Sequence, residues 1–96
     1  MKIYFHTGVP RSAAIRLARE LRADDRVAAI DLVTADEALR RMKKKFPDLV
    51  QRLPSNPLPD ALEVRPKRIG DAAAIVARLR PVPPAVDAVK YGGAAC

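Results

Sequence analysis

The chain is poor in the residues that build catalytic and metal sites. It has one cysteine, Cys96, and one histidine, His6, among 96 residues. A single cysteine cannot form an intramolecular disulfide bond or a metal cluster, and a catalytic triad or histidine-based metal site lacks its other members. We interpret His6 as a structural or exposed residue. We therefore expect no catalytic residues, no metal and no enzyme activity.

Glycine is scarce as well. The four glycines are scattered or stand near the C-terminus, so there is no glycine-rich phosphate loop. We accordingly expect no cofactor. Two pairs of adjacent carboxylates, Asp24 with Asp25 and Asp36 with Glu37, stand at predicted helix boundaries. Acidic residues are favoured at the start of a helix by its dipole and in the turn after a helix, so these positions need no catalytic explanation.

Long hydrophobic runs are also absent. The longest run, residues 72–77, has six residues, whereas a membrane-spanning helix needs about 18. The first ten residues lack the apolar core of a secretory signal. We expect the chain itself to be soluble, so that any membrane-embedded part of a parent protein would lie outside it.

Positive charge is in excess. Lysine and arginine number 18 against 11 acidic residues, which gives a net charge of +7. Such a surface is compatible with nucleic acid, anionic lipid headgroups or acidic wall polymers. The ordinary alternative is a solvated basic face, which is our interpretation of Lys43, Lys44 and Lys45.

Hydrophobic periodicity predicts alternating strands and helices. Thr34 and Glu37 have the spacing of a capping box, and Pro57 and Pro59 form a rigid extended segment that no helix can cross. The predicted strands span residues 2–6, 26–33, 61–65 and 85–91, and the predicted helices span residues 11–22, 35–46 and 71–80, with a short helical turn at residues 48–53.

The apolar pattern of the first half recurs in the second half at a nearly constant separation. Ile3, Phe5, Val27 and Ile30 recur as Leu62, Val64, Val86 and Val89, and Leu17, Ala18 and Leu21 recur as Ile75, Val76 and Leu79. Two such halves predict an α+β fold: a ferredoxin-like βαβ–βαβ antiparallel sheet with helices on one face and a helical insert that forms a small second lobe. We predict a single domain over residues 1–96. Residues 1–34 and 60–92 form its α/β lobe, residues 35–59 its helical lobe and residues 93–96 a tail.

The insert carries more apolar side chains than a small lobe can bury. An exposed apolar patch on a small domain marks a partner site, and a helical groove of Met, Phe and Leu suits a partner helix or coiled coil. Packing inside the lobe is the alternative for some of these residues, Phe46 above all. The candidate partner-binding residues are Met42, Phe46, Leu49, Val50 and Leu53.

A nucleic-acid-binding ferredoxin-like domain is the alternative function. Domains of this kind stack bases on sheet aromatics, and Tyr4 and Tyr91 could both face away from the helices. The RNA-recognition consensus of a basic residue and glycine followed by alternating aromatics is missing. We therefore do not expect nucleic acid as a partner.

Four segments, in order and at normal spacing, resemble the extracytoplasmic domain of FtsX, a permease-like bacterial cell-division protein. The resemblance covers nearly the whole chain. It departs from the family at Ala61, where serine is common, and at the Gly-Gly-Ala-Ala-Cys end. The matching segments are KIYF at 2–5, RVAAIDLVTADEAL at 26–39, NPLPDALEVRP at 56–66 and VDAVKYG at 86–92.

The resemblance implies a mechanism. FtsX resembles the membrane subunit of an ABC transporter and pairs, through its membrane part, with the cytoplasmic ATPase FtsE. ATP-driven changes reach the outer domain at the extracytoplasmic face of the plasma membrane. This domain binds the coiled coil of a peptidoglycan hydrolase, or of its activator, and switches on wall cleavage. The family's helical lobe supplies exposed apolar residues, which by position are Met42, Phe46, Leu49, Val50 and Leu53.

Overall fold

One antiparallel sheet organises the computed structural model, which describes residues 1–90. Its strand order is β2–β3–β1–β4, and every neighbouring pair is antiparallel. This is the order that two βαβ units produce in the ferredoxin-like arrangement, so the predicted α+β fold is confirmed. The elements are β1 (Lys2–Phe5), α1 (Arg11–Arg22), β2 (Val27–Val33), α2 (Ala35–Lys45), α3 (Pro47–Gln51), β3 (Ala61–Pro66), α4 (Asp71–Arg78) and β4 (Val86–Lys90).

The main core lies between one face of the sheet and helices α1 and α4. Ile3 and Leu62, neighbours on β1 and β3, are fully buried there, as are Leu21 and Ile75 from the two helices. All the apolar positions of the internal repeat are buried, except Val89, which packs against the core from β4. The repeat thus marks the side chains that the two halves contribute to one core.

A buried carboxylate joins three elements at one end of this core. Asp24, in the turn after α1, accepts hydrogen bonds from the Arg26 guanidinium at 2.8 and 2.9 Å and from the Arg26 amide at 2.9 Å. The Arg78 guanidinium of α4 donates to the same carboxylate at 2.9 Å. The side chain of Asp24 is only 5% exposed. The carboxylate therefore connects the end of α1, the start of β2 and the last turn of α4.

The second face of the sheet carries two contrasting rows of side chains. Strand register places Val33, Ala61, Tyr4 and Ala88 side by side, and the next row on that face holds Asp31, Glu63, Lys2 and Lys90. Side chains two positions apart share a face, so an apolar row lies beside a charged one. Val33 and Ala61 are each only 6% exposed although they lie outside the main core cluster. The apolar row must therefore be covered from its own side.

The predicted element boundaries differ from the observed ones by a few residues. Strand β1 ends at Phe5, and α4 ends at Arg78 rather than Arg80, because Pro81 disfavours the helical conformation of the residue before it. The predicted second turn is α3, which begins at Pro47. Proline is tolerated at the first position of a helix because the backbone amide there makes no hydrogen bond within the helix. Tyr91, Cys96 and the predicted tail lie outside the described residues, and the division into two lobes stays a prediction.

Within residues 1–90, no helix combines the length and the apolarity that crossing a lipid bilayer requires.

Candidate functional site

Helix α2 begins at a well-formed cap and carries charges that suit its dipole. The Thr34 hydroxyl accepts a hydrogen bond from the Glu37 amide at 3.2 Å. Acidic residues occupy the first turn and three lysines the last turn, which is the favourable order for the helix macrodipole. The Glu37 carboxylate does not complete the capping box. It pairs instead with Arg40 at 3.3 Å and Arg41 at 3.5 Å.

Asp60, the residue before β3, ties the start of α2 to α1. Its carboxylate accepts a hydrogen bond from the Ala35 amide at 2.7 Å and from the Arg11 guanidinium at 3.0 and 3.3 Å. The Arg11 hydrogen bond, assisted by the Ala35 amide, holds the pKa of the Asp60 carboxyl below its usual value. One carboxylate thus connects the two ends of the insert to the first helix of the α/β part.

Asn56 closes the insert on the other side of the same junction. Its side-chain amide donates to the Ala35 carbonyl at 2.9 Å, and its side-chain oxygen accepts from the Leu58 amide at 3.0 Å. The second contact is an Asx turn, which suits asparagine before a proline-containing segment. The Asn-Pro-Leu-Pro sequence therefore has a structural role, because it fixes the return path of the chain beside the first turn of α2.

An ion-pair chain places α2 next to the second face of the sheet. Arg41 donates to Glu63 of β3 at 3.0 Å, and Lys2 of β1 lies 3.9 Å from the same carboxylate. Such partly exposed pairs contribute little free energy individually, because solvent screens the charges. They nevertheless show that α2 runs back along the sheet, so that the insert covers part of its second face.

A groove of about 380 Å³ lies between α2 and the sheet. Its floor is the apolar row of the second face, with Val33, Ala61 and Tyr4. Lys2, Arg41 and Lys45 stand among its polar residues, together with Glu63. Apolar side chains from the insert form the remaining wall, and these are Ala38, Met42, Phe46, Leu58 and Pro59.

The structure separates the five predicted partner-binding residues into two groups. Met42 and Phe46 line the groove, and Phe46 is 57% exposed. Leu49 on α3 is 51% exposed but does not line the groove. Val50 and Leu53 are half-buried and are not groove residues either. Neither α2 nor α3 contains a fully buried residue, so the insert keeps unburied apolar surface along its length.

The sequence analysis missed the floor of the groove on the sheet and the part of its wall that Leu58 and Pro59 form. From the residues alone, Tyr4 is a base-stacking candidate and Pro59 is part of a rigid extended segment, and neither is predicted to line a groove. The alternation in β1 does place Tyr4 on the second face, but it does not show that α2 comes to lie beside it. The Lys90 ammonium also lies 5.6 Å from the centre of the Tyr4 ring, a cation–π contact.

The Tyr4 surroundings bear on the nucleic-acid alternative. Base stacking needs an open aromatic platform on the sheet, whereas Tyr4 is half-buried between α2 and Lys90. Tyr91, the other residue of that hypothesis, lies outside the described part. The arrangement favours the apolar groove over a base-stacking platform.

The one histidine of the chain does not line the groove. His6 is about half exposed, and its Nδ1 lies 3.6 Å from the Asp87 carboxylate at the surface. Within residues 1–90, no group of three or more His, Cys, Asp or Glu side chains is placed to hold a metal ion. The site that the described residues build best is an apolar groove with charged edges.

Comparison with known proteins gives one family match. The family model described as the FtsX extracellular domain matches residues 1–96, which include the sheet, the insert and the groove between them. No curated protein matches the chain.

Proposed function

The chain belongs to the family of FtsX extracellular domains, and on that premise we propose that it is a noncatalytic module that recruits and activates a peptidoglycan hydrolase through the hydrolase's coiled coil. The family relates the chain to cell division and places it outside the cytoplasm. The proposal adds the partner, which is a coiled-coil hydrolase or its activator. It also adds the FtsE ATPase, which would act through the membrane part of the parent protein.

The observation that carries the proposal is that Phe46 lines an open apolar groove and is itself largely exposed. A phenylalanine that stays 57% exposed forgoes much of the roughly 1.5–3 kcal/mol that burial of such a side chain contributes. Met42 and Tyr4 line the same groove. A partner that covered these side chains would recover that free energy, which supports docking at this position.

A coiled coil suits the shape and the chemistry of this surface. An amphipathic helix presents apolar side chains at i, i+3, i+4 and i+7, which is the pattern that grooves beside a helix accept. Lys2, Arg41 and Lys45 outnumber Glu63 at the groove, and this excess of positive charge favours a partner helix whose apolar stripe is flanked by acidic residues. Leu49, Val50 and Leu53 on and after α3 extend the surface in our proposal.

The attachment of the insert supports a role in signal transmission. Asp60 binds both Arg11 of α1 and the first amide of α2, and Arg41 of α2 binds Glu63 of β3. A displacement of the α/β part would therefore move α2 and the groove with it. We propose that this connection passes ATP-driven movement of the membrane part to the docked hydrolase.

A noncatalytic role predicts that the domain binds a hydrolase but cleaves nothing. Immobilised domain is expected to retain a purified peptidoglycan hydrolase that carries its coiled coil, because the coiled coil supplies the apolar stripe. The same hydrolase without its coiled coil is the matched control and should pass through. Incubation of the domain alone with purified peptidoglycan should release no fragments, because the sequence offers no nucleophile–base pair or metal set that would cleave it.

Two results would contradict this proposal. Equal retention of both hydrolase forms would show that the coiled coil is not the ligand. Release of peptidoglycan fragments by the domain alone, abolished by one substitution, would show that the domain is itself an enzyme.

A further inference from the structure

The loop between β3 and α4 exposes an isoleucine among unpaired cations. Ile69 is 91% exposed, more than any other large hydrophobic side chain in residues 1–90. Arg65, Lys67 and Arg68 precede it, and all three are exposed. Within the described part of the chain none of the three forms an ion pair. Glu63 and Asp71 flank the segment in sequence, and residues 65–69 between them carry three positive charges and no negative charge.

Backbone hydrogen bonds hold this loop in place. The Lys67 amide donates to the Arg26 carbonyl at 2.9 Å, and the Asp71 amide donates to the Arg68 carbonyl at 3.0 Å. The first contact fixes the start of the loop to the segment before β2, and the second closes a turn around Ile69. Ile69 is therefore exposed from a hydrogen-bonded turn, next to exposed cationic side chains.

The loop stands at the end of the sheet where β1 begins and β4 ends. The Val64 amide of β3 donates to the Met1 carbonyl at 2.8 Å, and Lys2 lies opposite Lys90. None of residues 65–70 lines the groove beside α2. The basic loop is therefore a second surface, separate from the docking groove.

We propose that this loop binds an anionic phospholipid surface, with Ile69 inserted among the headgroups. Lys67 and Arg68, together with Arg65 near the end of β3, pair with lipid phosphates. Basic residues around an apolar tip combine the two contributions that bind proteins to membranes reversibly, electrostatic attraction and burial of apolar surface. A soluble polyanion would form ion pairs with the cations, but burial of Ile69 would add no free energy to its binding. A protein partner would need a larger apolar area than one side chain supplies.

Vesicle binding of the purified domain tests this inference. The domain is expected to sediment with vesicles of equal parts phosphatidylglycerol and phosphatidylcholine but not with phosphatidylcholine alone, and added salt should release it. Replacing Lys67 and Arg68 together by serine should lower the apparent affinity about 25-fold, at about fivefold per charge. Ile69→Ser should lower it about tenfold, because an aliphatic side chain no longer inserts.

Matched variants control for net charge and for general apolarity. Lys43→Ser with Lys44→Ser removes the same charge from exposed positions on α2, and Val82→Ser removes a 45% exposed aliphatic side chain from the α4–β4 connection. Both controls should bind the vesicles like the parent domain. Thermal midpoints of all variants should agree, which separates loss of binding from loss of folding.

Several outcomes would overturn the inference. No sedimentation with the anionic vesicles would do so directly. An equal loss in the α2 lysine control would mean that net charge alone drives binding. Unchanged vesicle binding of Ile69→Ser, with equally tight binding of soluble polyphosphate, would identify a polyanion site. A parent domain that is dimeric and becomes monomeric on Ile69→Ser would assign the loop to contact between copies.

Discussion

Replacing Phe46 with alanine is expected to weaken binding of a hydrolase coiled coil about thirtyfold. A buried aromatic anchor is the usual hot spot of an interface, and its truncation costs about 2 kcal/mol or more. Phe46 lines the groove and is 57% exposed in the free domain. The free domain should therefore lose little stability. Titration calorimetry with the isolated coiled coil gives the affinity, and a thermal scan of the variant checks the folding.

Two further variants make this result interpretable. Val82→Ala truncates another exposed side chain, which is 45% exposed and lies outside the groove, and should leave the affinity unchanged. Replacing Lys43, Lys44 and Lys45 by serine should matter less than Phe46→Ala and mainly at low salt, because exposed charges are screened. Loss of binding in the lysine variant with intact binding in Phe46→Ala would refute hydrophobic docking. If Phe46→Ala unfolds the insert, Phe46 is core, and the site must involve Met42, Leu49, Val50 or Leu53.

Replacing Asp24 with asparagine is expected to be among the most destabilising single substitutions of a polar residue in the chain. The change removes the negative charge that faces Arg26 and Arg78 while it keeps the size of the side chain. Breaking a buried charge cluster by removing one partner is strongly destabilising, and we expect the thermal midpoint at pH 7 to fall by about 8 °C or more. Asp25→Asn is the matched control, because Asp25 is exposed.

The effect of Asp24 should depend on pH in a defined direction. Hydrogen bonds from the Arg26 side chain, then from its amide and from Arg78, hold the pKa of the Asp24 carboxyl well below its usual range. A lowered pKa in the folded state stabilises the fold above the unfolded-state pKa of about 4, and this stabilisation is lost as the pH falls toward the folded-state pKa. The difference in thermal midpoint between parent and Asp24→Asn should thus be constant near neutral pH and shrink below about pH 4. A difference that stays constant down to pH 2, or an equal effect of Asp25→Asn, would rule out this role of the cluster.

Much of the fold could be predicted from the sequence, because the apolar residues that define its strands and helices recur at regular, short intervals. The recurring apolar positions identified the two βαβ halves, since each strand and helix of such a unit buries one face. The threonine before α2 and the prolines after α3 marked the limits of the insert. Helix ends were less certain, as at α4, where Pro81 ends the helix two residues earlier than predicted.

The position of the insert could not be predicted in the same way. The path of α2 along the sheet depends on contacts between residues far apart in the chain, such as Arg41 with Glu63 and Asp60 with Arg11. Periodicity shows which side chains share a face, but it does not show which element covers that face. The sequence therefore pointed to Met42 and Phe46 as one wall of the groove and left Tyr4 and Ala61 unrecognised as its floor. Ile69 was missed for a related reason, because a single loop residue belongs to no periodic pattern.

The most direct test of the docking proposal is a nuclear magnetic resonance titration of the isotope-labelled domain with the coiled coil of a peptidoglycan hydrolase. We predict that the largest shift changes fall on the groove and its rim, at Tyr4, Met42, Phe46 and Leu49, and that Lys67 and Ile69 of the β3–α4 loop stay unchanged. Shift changes that centre on the β3–α4 loop or on helix α1, with the resonances of Met42 and Phe46 unmoved at saturation, would contradict the account.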